Sequence, residues 1–109
     1  MKRSPDRVVA TRIGPDAQFK GARQFVLDFD GPKLDKISEA NPPIAVASCS
    51  AGATIVDKFV MRNNFLGTWR VIVKMLPKPD SHEAIDLRCT LQSGTNSVGE
   101  TWVYQWNPP

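Results

Sequence analysis

The chain has 109 residues, which suffices for one domain with one core and leaves no room for two. Hydrophobic residues make up 41% and charged residues 23%, an ordinary globular balance, and nine prolines with seven glycines favour turns over long helices. The net charge of +3 is spread along the chain apart from Lys2, Arg3 and Arg7, and no aromatic-basic motif accompanies it, so nucleic acid is not an expected partner; no apolar run reaches membrane-spanning length.

The opening MKRSPDRVVATRIG carries charge but no apolar stretch behind it, so it does not read as a signal peptide. Residues 1–7 read as linker or flexible tail, ahead of a domain over residues 8–109. The dominant periodicity from there is two, the strand period. Val8 to Ile13 reads as a first strand closed by Gly14-Pro15. Arg23 to Asp30 is amphipathic: Phe25, Leu27 and Phe29 share one face, while Gln24, Asp28 and Asp30 share a face expected to be wet. Gly31-Pro32 stops this strand, and Lys33 to Ala40, with Leu34 and Ile37 three apart, predicts a short helical turn before Pro42-Pro43. Ile44 to Ser50 is a strand of small residues, and Thr54 to Arg62 is β-branched and aromatic. Asn63-Asn64 signals a turn. Thr68 to Leu76 and Glu83 to Gln92 alternate cleanly, with Trp69, Val71, Val73 and Met75 in step on the first and Ile85, Leu87, Cys89 and Leu91 on the second. Ser93 to Gly99 reads as a polar loop, and Glu100 to Trp106 as the last strand, with Trp102, Tyr104 and Trp106 on one face.

Seven short, evenly spaced strands predict an all-β, immunoglobulin-like sandwich of antiparallel strands, with a small barrel as the alternative. Phe25, Leu27, Phe29, Trp69, Val71, Ile85, Leu87 and Trp102 are the expected inward set.

No residue pattern predicts catalysis. Asp28 and Asp30 lie two apart on one strand face, the kind of carboxylate pair a glycosidase uses, but nothing nearby would raise the pKa of either. His82 sits in a Pro- and Ser-bearing loop without a neighbouring nucleophile. Two cysteines and one histidine make a poor metal set, so neither a metal nor a cofactor is expected. Cys49 and Cys89, with Trp69 midway between them, follow the order of the inter-sheet bridge and packed tryptophan of antibody domains. The alternative is two small buried hydrophobes, and the face that Cys49 takes is open, since Ile44-Val46 and Ala45-Ala47 both suit the interior. Tyr104 and Trp106 are the candidate binding residues. Three large aromatics on one face fill much volume for so small a domain, so part of that face, Trp106 above all, could stack on sugars or dock on another domain.

VVATRIG, RQFVLDFDG, GTWRVIVKM, IDLRCTLQ and GETWVYQW occur in that order from Val8 to Trp106, and together they resemble the C-terminal domain of the osmoregulated periplasmic glucan biosynthesis protein G/D family. ETWVYQW, Glu100 to Trp106, is the most specific of these motifs. The resemblance implies a periplasmic protein of Gram-negative bacteria. It would have a large N-terminal β-sandwich and a small immunoglobulin-like C-terminal domain, and would be required for branched glucans with a β-1,2-linked backbone. Some members are β-1,2-glucanases, with the catalytic acid and substrate cleft in the large domain, so no catalytic residue transfers to this chain. The expected partners are that N-terminal catalytic β-sandwich, then β-glucan itself or the membrane glucosyltransferase. The resemblance lends no support to a Cys49–Cys89 bridge. Tyr104, Trp106 and the segment near Val8 are the expected docking face.

Overall fold

The structure is a computed structural model that describes residues 7–108. The strands are β1 (Arg7–Pro15), β2 (Arg23–Asp30), β3 (Ile44–Cys49), β4 (Ala53–Asn63), β5 (Thr68–Pro77), β6 (Ile85–Ser93) and β7 (Asn96–Trp106), with one short helix, α1 (Pro32–Asp35), between β2 and β3. Of the expected tail, residues 1–6 lie outside the described residues, and Arg7 already opens β1, paired with Asp30.

Two antiparallel sheets form, one ordered β1-β2-β5-β4 and the other β3-β6-β7. This is the seven-strand order of an immunoglobulin constant-type sandwich, four strands facing three. Alternation explains the pairing. Phe25 opposes Val73, Leu27 opposes Val71 and Phe29 opposes Trp69, so three inward residues of β2 meet three of β5 without a slip. A shift of one residue would turn the whole set to water. All eight residues of the expected inward set are buried, joined by Leu34, Ala45, Val73, Met75, Cys89, Leu91 and Val98. Each large side chain buried this way contributes about 1.5–3 kcal/mol of transfer free energy.

The Trp69 indole N–H donates to the Leu34 carbonyl at 3.0 Å. That bond pins α1 over one end of the core, where Leu34 is fully buried and Ile37 packs against it. The helix is shorter than the predicted turn, because Pro42-Pro43 and the β-turn at Ser38–Asn41 leave no room for a second turn. The edge strands β1 and β4 each carry a bulge, between Val8 and Ala10 and between Ile55 and Asp57. On β4, Lys58 and Arg62 take the inward parity opposite Val73 and Trp69. Bulges and inward charges on an edge discourage pairing with a foreign strand.

Two features differ from the sequence reading. β7 begins at Asn96, inside the segment expected to be loop, because Gly94 adopts φ +63 and lets the chain reverse over two residues between the paired Ser93 and Asn96. The second is Asp28. The face expected to be wet holds it 1% exposed. Its Oδ1 accepts from Thr68 Oγ1 at 2.8 Å and from Arg70 Nε at 3.0 Å, and its Oδ2 accepts from Arg70 Nη2 at 3.1 Å. A two-pronged guanidinium and a hydroxyl replace the water that alternation alone would assign to it.

Candidate functional site

β7 is an edge strand of its sheet, and its aromatics point inward. Trp102 and Tyr104 stack with ring centres 5.6 Å apart and planes 3° from parallel. The Phe25 ring meets each of them edge-on, at 5.9 Å. Trp106 is half-buried against the core with the Arg23 guanidinium 5.8 Å from its ring centre. Tyr104 and Trp106 therefore form the half-buried rim of an aromatic ladder, with Trp102 and Phe25 against the Tyr104 ring and Arg23 against the Trp106 ring, in geometries favoured by ring quadrupoles.

The N-terminal segment reaches the same seam but at a distance. The Val8 amide donates to Glu100 Oε1 at 2.7 Å, on β7 but six residues before Trp106. At strand rise that is about 20 Å. The expected docking face is thus split along the open side of the sandwich, with Val8 towards one end and Trp106 at the other.

The cysteines are both free thiols, Cys49 half-buried and Cys89 buried. Of the two readings left open for these cysteines, strand order favours two small hydrophobes over an inter-sheet bridge. In antibody domains the bridge joins the second strand to the sixth across the core. Here the position facing β6 from β2 is filled by Phe25 and Leu27, and Cys49 stands on β3, next to β6 in the same sheet. Cys49 opposes Leu87 while Cys89 opposes Ala47, so the two thiols are diagonal neighbours. Diagonal Cα atoms lie about 7–8 Å apart, beyond disulfide reach. The Cys49 thiol donates to the Ala53 carbonyl at 3.3 Å. Burial pushes both thiols up, Cys89 to about 11, which removes nucleophilic thiolate at neutral pH.

His82 is exposed in an open cup of about 610 Å³ lined by Ala51, Gly52, Lys78, Asp80, Ser81 and Glu83. Among the described residues no three His, Cys, Asp or Glu side chains gather where they could hold a metal ion. Asp28, one of the two carboxylates that could suggest a glycosidase, is occupied by Arg70 and Thr68.

The sequence reading passed over a surface that the structure brings out. Phe59 and Met61 stand on the outer face of β4, and the β4–β5 turn presents Phe65, 96% exposed, and Leu66, 53% exposed. The signal was available: two large apolar residues inside the turn NNFLG.

Comparison with known proteins places the chain among periplasmic glucan biosynthesis proteins. The family model for the periplasmic glucan biosynthesis protein MdoG matches residues 1–106. Glucans biosynthesis protein D of Pseudomonas fluorescens is 31% identical across 94% of this chain, which covers 21% of that relative. Glucans biosynthesis protein D 2 of Ralstonia nicotianae is 32% identical across 94% of the chain, covering 20% of that relative. A probable glucans biosynthesis protein D of Shewanella oneidensis is 33% identical across 81%, covering 16%. With nearly every residue of the chain inside the match, this chain belongs to the periplasmic glucan biosynthesis protein MdoG family and spans about a fifth of the length of the curated relatives it resembles.

Proposed function

We infer that this chain is a non-catalytic module of a protein required for periplasmic glucan biosynthesis, and that its work is to dock on the larger catalytic sandwich of the same protein. The observation that carries this reading over glucan binding at the candidate residues Tyr104 and Trp106 is the orientation of the β7 aromatics. A sugar-stacking site needs a flat ring face open to solvent. Trp102 and Tyr104 cover each other, Phe25 closes on both, and Arg23 lies over Trp106. The share of the relatives that the chain spans supports a module working beside a larger partner, and the family name supports a periplasmic setting. The chemistry of the family belongs, on this reading, to the part that precedes the chain, since the carboxylate best placed to suggest hydrolysis is held in an ion pair.

The test is to incubate the purified chain with β-1,2-glucan, then with the remainder of a family member in trans. Shortened glucan would refute the non-catalytic reading. Saturable glucan binding without association to the remainder would replace docking by carbohydrate recognition. Association without glucan binding is the expected result.

A further inference from the structure

We propose that the docking surface is the strip formed by Phe59 and Met61 on the outer face of β4 together with the hairpin tip Phe65–Leu66, and that its occupant is the larger domain of the same polypeptide. The proposal rests on the docking reading above and names the surface that reading left open.

Within residues 59–66, four large apolar side chains are exposed, from 38% at Phe59 and 42% at Met61 to 53% at Leu66 and 96% at Phe65. The tip is held in place by its own backbone chemistry. Asn63 Oδ1 accepts from the amides of Phe65 and Leu66 at 3.1 and 3.2 Å, and the Gly67 amide donates to the Asn63 carbonyl at 2.8 Å. Gly67 sits at φ +71, a conformation that a side chain would strain. Phe65 is therefore displayed from a closed turn, so little conformational entropy is lost when it is covered. The strip continues inward across the sheet through Ile72 and Val26, which are paired in one row with Phe59 and half-buried.

Three observations select the occupant. Phe65 presents an open ring, but Phe, Met and Leu offer no hydrogen-bonding group, so these four side chains have nothing with which to select the hydroxyls of a glucan. A Phe buries about 150–250 Å², and interdomain faces span about 600–1,500 Å², so Phe59, Met61, Phe65 and Leu66 supply the apolar centre of such a face. The third is position. Arg7 pairs with Asp30 and Asn63 with Thr68, and Phe29 pairs with Trp69 just inside them, so the backbone entering at Arg7 and the tip occupy the same end of the four-stranded sheet. The order β1-β2-β5-β4 puts them three strand spacings apart, about 14 Å. A domain joined ahead of Arg7 meets the tip without a long linker, and the relatives carry about four fifths of their length outside the matched region.

The experiment splices this chain in place of the matching segment of the Pseudomonas fluorescens protein and compares it with the chain alone. Amide exchange at residues 59–67 should slow at least about tenfold in the spliced protein, and the spliced protein should melt in one transition. The double variant F65S/L66S should lose that protection and melt in two, while the chain alone should keep its melting temperature within a few degrees with the same changes, because Phe65 is almost fully exposed and Leu66 is about half exposed. I44S/V103S, on the outer face of the other sheet, serves as the control and should leave the single transition intact. If protection appears elsewhere and F65S/L66S changes nothing, the strip is the wrong surface although docking stands. Two transitions and no protection anywhere in the unaltered splice remove docking altogether. Self-association of the chain alone that F65S/L66S abolishes assigns the strip to a second copy and overturns the proposal. So does slowed exchange at the tip on adding β-1,2-glucan.

Discussion

Asp28→Ala tests whether the ion pair on the outer face of the four-stranded sheet is a structural element of the domain. The change removes the acceptor of three hydrogen bonds, two from the Arg70 guanidinium and one from the Thr68 hydroxyl. Breaking a fully buried pair by deleting one partner costs about 3–5 kcal/mol, because the other charge is stranded. Arg70 is not fully stranded here: its side chain is 21% exposed, against 2% for Asp28, so the guanidinium can turn towards water and recover part of that cost. Thr68 is 3% exposed and has no such escape, and an unsatisfied buried hydroxyl costs about 1–3 kcal/mol. The net expectation is a loss of about 2–3 kcal/mol. For a domain of this size that lowers the melting temperature by about 10–20 °C. Urea and thermal melts followed by circular dichroism read it. Arg70→Ala and the double variant complete a cycle in which the double should be less destabilised than the sum of the singles, by about 1–2 kcal/mol. An Asp28→Ala protein within about 0.5 kcal/mol of the parent, or an additive cycle, would refute the reasoning.

Trp69→Phe keeps a ring in the core but removes the 3.0 Å indole bond to the Leu34 carbonyl, which keeps the Ile37 amide as donor, and leaves a void beside α1; a loss of about 1–3 kcal/mol in urea melts is expected, with faster amide exchange in α1. Thiol counting under denaturing, non-reducing conditions should give two reactive thiols per chain, and in the folded protein Cys89 should alkylate far more slowly than a free thiol because burial holds it protonated. Asp16 accepts from the amides of Phe19 at 2.6 Å and Gln18 at 3.0 Å and from Lys74 at 3.0 Å, and these bonds, the Phe19 amide foremost, hold its carboxyl below the ordinary Asp value of 3.8. A group depressed on folding stabilises the protein above its unfolded pKa and loses that contribution as pH falls through its folded one. Stability should therefore drop on acidification below about pH 4, and Asp16→Asn should flatten that part of the pH profile while lowering the plateau at neutral pH.

The strands were legible because each of the long ones buries one face and wets or caps the other. Trp69, Val71, Val73 and Met75 alternate with Arg70 and Lys74, and all four of the apolar set are in the core. β7 was legible only from Glu100 onward, since Asn96 and Ser97 lie where the strand is exposed and carry no apolar signal. Asp28 shows a different limit. Alternation assigns it a face, and the face is correct, but whether water or a guanidinium waits there depends on Arg70 and Thr68, which β5 brings alongside from about 40 residues away. Periodicity reports direction. It does not report the neighbour.

The candidate site was legible to the same depth. The common parity of Trp102, Tyr104 and Trp106 could be read from their spacing, but their cover could not, because Phe25 and Arg23 belong to β2 in the opposite sheet. The cysteine order suggested a cross-core bridge because sequence order gives strand number without sheet membership. A third strand and a sixth strand are facing partners in some sandwiches and side-by-side neighbours in this one. Phe65 is the converse case. A strand residue's exposure depends on a distant partner, whereas a turn residue's exposure is set more locally: Asn63 and Gly67 close the reversal by themselves and leave Phe65 pointing out of the fold, with Leu66 half-exposed beside it. A large apolar side chain as exposed as Phe65 contributes little to the isolated fold, and a half-exposed one such as Leu66 contributes only part of its area, unless something outside the fold covers them. That is why F65S/L66S is expected to leave the isolated chain nearly unchanged and to act chiefly where the rest of the polypeptide is present.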